Sequence, residues 1–388
     1  MEMLPDGSGL HEILAGWHPD DIKCCGHWTP DGDFFLFLSA HSAERRGVPA
    51  FQLWALDERH AMLRKPASTP VQLTFGPMTW ETPIPSRDGR QVFIKANDVR
   101  GELVRYNRLS GQVEPFLGGI SADMLDFSRD GKYVVYASFP GDILWTANRD
   151  GTQVQEVAKA MAHPTGPRWS PDGSQIAFVD FPATGPAEVY VVPSRGGTPV
   201  RVLPENRCCD ELDPTWSPDG KQLALWVAPS EGNTETELRI VDLSTRQVSL
   251  LPRPPKRTCS PRWSPDGRYM LAVTNTYPDT DGLEVYDFKT RKWRILLTEQ
   301  VGWPPVNWPS WSKDGRSIYY MGPDDLQRFH GVVFRISVDG QKPVRIADLP
   351  GFRPAGWLYN WFGIDPDENP IMLRDAGSNE IYALTLDR

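Results

Sequence analysis

The chain has 388 residues, a net charge of −9 and 40% hydrophobic residues, which is the composition of a globular protein. No run of Lys and Arg is long enough to form a phosphate-binding stripe, which excludes direct nucleic-acid binding by this segment and disfavours membrane surfaces. No apolar stretch reaches the roughly 18 residues that a bilayer span requires, and Met1–Gly9 lacks the basic and apolar regions of a signal peptide.

One turn signal recurs from end to end. It reads Trp28-Thr-Pro-Asp-Gly32, then loosens at Pro85–Gly89 and Phe127–Gly131. It returns in full at Trp169–Gly173, Trp216–Gly220 and Trp263–Gly267, persists at Trp311–Gly315, and decays at Ile364–Glu368. Its aspartates stand at 31, 88, 130, 172, 219, 266, 314 and 367, a mean step of (367 − 31)/7 = 48 residues. Repeats of this length that are rich in short apolar runs mark radial β architectures.

The unit around 163–203 is the clearest. Pro167–Ser170 is a short strand, and Pro171-Asp172-Gly173 turns it, because Pro presets φ, Asp bonds its own backbone and Gly accepts a positive φ. Gln175–Val179 and Glu188–Val192 follow, with Pro199–Leu203 as the fourth strand. The same order appears as Gln222–Trp226, Glu237–Val241 and Gln247–Leu251, and again as Tyr269–Val273, Leu283–Tyr286 and Trp293–Leu297. Runs that are apolar on both sides suit sheets covered on both faces, so the motif Trp reads as a core residue between sheets.

The expected fold is all-β: an eight-bladed β-propeller of four-stranded antiparallel blades, filling 1–388 as a single domain. Closure is expected from a strand at Gly9–Leu14 joining the last three, Leu358–Ile364, Pro370–Arg374 and Glu380–Leu386, which would remove both sheet edges. Seven blades is the alternative, with the unit at Ser86–Gly89 or the terminal one deformed.

The Trp-Ser-Pro-Asp-Gly repeats, each followed by a run such as Gln175–Phe178 and a strand such as Glu188–Val192, resemble the TolB-like, WD-repeat-like β-propeller family over nearly the whole chain. Glu12–Trp17, Cys24–Gly32, Gly118–Ala122 and Leu373–Leu384 further resemble the C-terminal propellers of acidobacterial winged-helix regulators and Ser/Thr protein kinases. That resemblance implies a sensory or binding module behind an N-terminal output domain, often with a membrane helix between them. Neither a winged helix nor kinase motifs occur here, so the chain is expected to be such a propeller without its output domain. The family carries no agreed catalytic residues to transfer.

The chemistry expected from the residues is correspondingly sparse. There is no Gly-x-Ser-x-Gly elbow for a hydrolase, and the seven histidines are scattered over several repeats. Tyr277–Gly282 lacks the ligand spacing of a calcium loop. No catalytic residue, metal or cofactor is expected. Cys24, Cys25, Cys208, Cys209 and Cys259 are expected as free thiols, since their number is odd and neither adjacent pair has Cys-x-x-Cys spacing.

A ligand site is expected where the loops leading into each first strand converge on one face of the channel. The candidates there are Trp80, Glu81, His163, Glu211, Asp213, Arg257, Asn307, Trp308, Tyr359 and Asn360. Aromatics beside carboxylates and amides suit a small polar molecule, a sugar or a peptide end, although the acids would also neutralise Arg168 or Arg262. The expected role is a non-catalytic module binding such a ligand or a protein. The alternatives are a carbohydrate-active lyase or hydrolase using the channel face, and a structural interaction platform. The chain is expected to be soluble and cytoplasmic, or extracytoplasmic if it is attached to a membrane helix.

Overall fold

A computed structural model describes every residue except 1–11, 15, 19–20, 41–49, 60–68, 183, 204–208, 229–235, 253–257, 277–279, 301–306, 326–327, 356–360 and 387–388. Its strands begin with β1 (Ile22–Trp28), β2 (Phe34–Ala40), β3 (Gln52–Asp57), β4 (Val71–Gln72), β5 (Thr79–Pro85) and β6 (Gln91–Asp98). Next come β7 (Gly101–Asn107), β8 (Gln112–Pro115), β9 (Ala122–Phe127), β10 (Tyr133–Ser138), β11 (Leu144–Asn148) and β12 (Gln155–Glu156). The middle of the chain forms β13 (Pro164–Trp169), β14 (Gln175–Asp180), β15 (Glu188–Pro193), β16 (Val200–Arg201), β17 (Glu211–Trp216), β18 (Gln222–Val227), β19 (Glu237–Asp242) and β20 (Val248–Leu250). Then follow β21 (Thr258–Trp263), β22 (Tyr269–Thr276), β23 (Thr280–Asp287), β24 (Lys292–Gln300), β25 (Asn307–Trp311), β26 (Ser317–Asp325), β27 (Arg328–Ser337) and β28 (Val344–Asp348). The last strands are β29 (Phe362–Ile364), β30 (Pro370–Asp375) and β31 (Ser378–Thr385).

These strands make eight antiparallel sheets, seven of four strands and one of three, so the described structure carries the eight blades that the motif count implies. The chain divides into two compact units, Met1–Val99 with Gly377–Arg388, and Arg100–Ala376. The first unit holds the sheets β1-β2-β3-β4 and β31-β6-β5, packed around Leu36, Leu38, Leu53, Val92 and Ile94. The second holds the other six sheets. Their innermost strands β9, β13, β17, β21, β25 and β29 each touch the next, and β29 touches β9, so this ring closes on itself. Shared cores seal neighbouring blades, as where Leu223 and Leu225 of β18 meet Val189 and Val191 of β15.

Closure differs from expectation. The last three strands do not share one sheet: β29 and β30 join β7 and β8, while β31 pairs with β6. The apolar run Ile371–Leu373 is matched by Leu103 and Val104 of β7, and a Cβ at Gly101 would stand 2.6 Å from Leu373 Cδ1. The repeat between residues 79 and 115 thus gives its first two strands to one sheet and its last two to another. Of the strand expected at Gly9–Leu14, residues 9–11 lie outside the described ones, and Ile13 and Leu14 sit in a turn. The cysteines differ as well. Cys24 is bonded to Cys25 and Cys209 is in a disulfide, whereas Cys259 keeps its thiol. Cys25 takes φ 61, and this left-handed backbone allows adjacent sulfurs to meet. Cys208 and Tyr277–Asp279 lie outside the described residues.

Each motif is a hydrogen-bonded latch at the first turn of its blade. In the third, fifth and sixth copies, for example, the hydroxyls of Ser128, Ser217 and Ser264 donate to Asp130, Asp219 and Asp266 at 2.7, 2.6 and 2.6 Å. Each hydroxyl also accepts the amide five residues on, as Ser264 does from Tyr269 at 2.8 Å. The motif Gly adopts φ +72 at Gly220 and +77 at Gly267, which a Cβ would penalise. The serine bond holds Asp88, Asp130, Asp172, Asp219 and Asp314 below the usual carboxylate range.

Two outcomes follow. Ser264 is fully buried, so Ser264→Ala strands the Tyr269 amide and should cost about 1–3 kcal/mol in urea unfolding. Because the aspartates are depressed in the folded state, their contribution is complete above about pH 4 and is lost as the pH falls further. The acid limb of a stability–pH curve should therefore flatten in Ser→Ala variants of these turns. An unchanged limb would assign acid sensitivity to other groups.

Candidate functional site

The inner strands of the ring carry an irregularity that no turn motif announces. Three residues before the end of the strand, Met124, Gly166, Asp213, Ser260 and Trp308 take φ of 51, 59, 51, 49 and 50. Pairing registers shift across them, between Thr165 and Arg168, Leu212 and Thr215, Cys259 and Arg262, and Asn307 and Ser310. A bulge of this kind re-aims the residues that follow it. Here it directs the residue before the motif's first position into the axis. Asp126, Arg168, Thr215, Arg262 and Ser310 are placed in this way, and with Gly363 of the sixth blade they line a cavity of about 310 Å³. A second cavity of about 260 Å³ shares Asp126, Arg168 and Thr215 with it.

Bonds between blades hold these residues in place. The Trp169 amide donates to Asp126 Oδ2 at 2.8 Å, and the Trp216 indole N–H to the Arg168 carbonyl at 3.0 Å. The Trp263 amide donates to Thr215 Oγ1 at 3.2 Å, and the Trp311 indole to the Arg262 carbonyl at 3.0 Å. The two arginines adopt the same posture. Arg168 and Arg262 each turn Nη1 back onto the carbonyl of the preceding proline, at 3.2 and 2.8 Å.

Arg262 is buried, with Nη2 3.7 Å from Asp213 Oδ1 and without a hydrogen bond among the described residues. Burial first, and then Arg168, push the Arg262 guanidinium down to about 10, against the pull of Asp213 and Asp126. Burial likewise raises the Asp126 carboxyl, although Arg168 and the Trp169 amide favour its charged form. The other acids of the lining are engaged elsewhere. Asp365 lies 3.6 Å from Arg105 and accepts the Asn369 amide at 2.8 Å, Glu368 accepts the Tyr319 hydroxyl, and Asp130 is held by Ser128.

The candidates named from sequence occupy other places. Trp80 and Glu81 belong to β5 of the first unit, where Trp80 is buried against Tyr382 and Glu81 pairs with Lys95 at 2.8 Å. His163 stands just before β13, 3.3 Å from Asp142. Glu211 is fully buried and accepts the Val189 amide. Asp213 accepts the Trp226 indole and the Ser260 hydroxyl, and it meets the cavity through Arg262. Trp308 is buried, and Asn307 pairs with Met321 in the ladder. Arg257, Tyr359 and Asn360 lie outside the described residues. The expected face therefore contributes Asp213 as a support, and the cavity draws on residues further along each strand. One signal for them is legible in retrospect: Pro-Arg-Trp occurs twice, at 167–169 and 261–263.

Among the described residues no group of three or more His, Cys, Asp or Glu could hold a metal, and no helix is long and apolar enough to cross a membrane. No family model matches the chain, and no curated protein matches it either. Among solved structures it is similar to a putative TolB from Agrobacterium tumefaciens, with 20% identity and a TM-score of 0.56 over 71% of this chain and 98% of that one. The fold is a TolB-like β-propeller. It is also similar to TolB from Acinetobacter baumannii (16% identity, TM-score 0.47, over 92% of this chain and 79% of that one). A third likeness is to an oligogalacturonate lyase from Vibrio parahaemolyticus (14%, TM-score 0.47, 83% and 93%). At these identities the likeness concerns the fold of the propeller.

Trp216→Phe keeps most of the ring's bulk but removes the indole donor, leaving the Arg168 carbonyl unmatched. It should destabilise by about 1 kcal/mol, with a similar loss for Trp311→Phe at Arg262. Equal unfolding midpoints for wild type and both variants would show that the indole bonds do not tie the blades.

Proposed function

We propose that this propeller is a non-catalytic binding module whose ligand, a small polar molecule or the end of a peptide or protein, enters the channel of the six-blade ring. One observation carries the reading. Asp126, Arg168, Thr215, Arg262 and Ser310, from five separate strands, converge on one cavity, and the buried Arg262 keeps an unsatisfied donor there. A buried charge with incomplete partners is costly, and a ligand that completes them offsets that cost. A purely structural ring would instead fill its axis with side chains.

The resemblance to the propellers of acidobacterial regulators and kinases supports a sensory role, joined to or associated with an N-terminal output domain. Binding in the channel would then reach that domain as a change in the stability of the ring. The cytoplasm is the default location for this chain, with an extracytoplasmic one if it is attached to a membrane helix. The Cys24–Cys25 bond favours the extracytoplasmic alternative, because reducing compartments keep such pairs open.

The test is a thermal-shift screen of the intact chain against small polar metabolites, with every stabilising compound recovered and analysed by mass spectrometry. Saturable stabilisation, abolished by Arg262→Gln and with the compound recovered unchanged, is the expected result. Conversion of the compound would make the channel an active site. Stabilisation that survives Arg262→Gln would move the site elsewhere.

A further inference from the structure

We infer that the channel recognises a carboxylate, gripped by the guanidinium groups of Arg168 and Arg262 on either side of Thr215. This inference rests on the binding reading above and names the chemistry of the bound group.

The two arginines sit on alternate blades, β13 and β21, with β17 between them. Both spend Nη1 on the preceding proline carbonyl, so their remaining donors are presented in the same way. Arg262 Nη2 has no hydrogen bond among the described residues, and Arg168 has no carboxylate within ion-pair distance among them. The lining therefore has donors in excess. Of its acids, Asp365, Glu368 and Asp130 are committed to Asn369, Tyr319 and Ser128, and Asp213 behind Arg262 is bonded to Trp226 and Ser260. Asp126 alone faces both arginines, and one of its oxygens is taken by the Trp169 amide.

Charge selects among anions. Two guanidinium groups against Asp126 and Asp213 leave no net positive charge, so each added negative charge is costly and a singly charged anion is favoured over a dianion. A carboxylate meets that condition and offers two oxygens to the two arginines. A phosphate dianion would bring an extra charge against Asp126. The carboxylate can come from a small organic acid or from the C-terminus of a peptide, and the arms of the test separate these.

Calorimetry and thermal shift on the full chain would compare lactate with lactamide, and Ala-Ala-Ala bearing a free C-terminus with its amidated form. Inorganic phosphate is the third arm. The acids should bind and the amides should not, with lactate or the free tripeptide the tighter according to source. Arg168→Gln and Arg262→Gln should each weaken the acid by about tenfold or more. Asp126→Asn, which removes the facing negative charge, should tighten it. Circular dichroism and Arg262→Lys, which keeps the charge, identify any loss that comes from misfolding.

Amides that match the acids, phosphate that outcompetes them, or weaker binding in Asp126→Asn would overturn the carboxylate assignment. If a neutral compound bound and still required Arg262, the binding module would stand while this inference fell. If no compound in either series bound and the arginine variants changed nothing, both would fall.

Discussion

The left-handed residue in five of the six inner strands is the constraint on which the rest of the ring depends. A regular strand would alternate its side chains between the two faces of the blade and give the axis only backbone. The kink at Met124, Gly166, Asp213, Ser260 and Trp308 breaks that alternation at one level. It turns the next-but-one side chain inward and frees the following amide or carbonyl for a bond to the adjacent blade. Four of the five bear a side chain at positive φ, which is unfavourable for such residues. In those four blades the cost is offset by bonds between neighbouring blades, such as that from the Trp263 amide to Thr215.

Much of the architecture was legible because the turn motif is local. Ser, Asp and Gly at fixed offsets form a bonded unit whatever surrounds them, so the positions and count of the blades follow from the motif alone. The strands expected at Gln175–Val179, Glu188–Val192 and Gln222–Trp226 coincide with β14, β15 and β18 to within a residue. Closure is not local. Whether β30 pairs with β7 or with a strand near the N-terminus depends on which apolar partner covers Ile371, Met372 and Leu373, a choice between segments more than 250 residues apart. Pattern reading has no access to that competition. The bond between the adjacent cysteines is hidden for a related reason, since nothing in their residue type foretells the left-handed backbone at Cys25.

The candidate site was less legible than the fold. The sequence points to His163 and Glu211 because functional groups usually lie on loops, yet Glu211 opens strand β17. The structure engages these two with Asp142 and the Val189 amide. The cavity is lined instead by a position inside the repeat, immediately before the motif's first residue, where sequence suggests a strand residue buried between sheets. Only the bulge turns it toward the axis, and residues such as Met124 and Trp308 have no particular preference for the backbone that a bulge requires.

This arrangement separates what holds the ring together from what the ring contacts. Trp, Ser, Asp and Gly of the motif do the same mechanical work in blade after blade. The position before the motif's first residue is Asp126, Arg168, Thr215, Arg262, Ser310 and Gly363 in turn. Changing that residue leaves the turn latch untouched, because its bonds to the neighbouring blade run partly through the backbone, as at the carbonyls of Arg168 and Arg262. A ring of near-identical blades can therefore carry an asymmetric set of charges at its centre without a compensating change in its walls. Two arginines placed this way are held by the same proline carbonyl contact and the same indole bond, so their spacing is set by the geometry of the ring and not by the flexibility of their side chains. Preorganised donors of that kind lose little entropy on meeting a ligand, and this is the physical reason to place recognition at the axis.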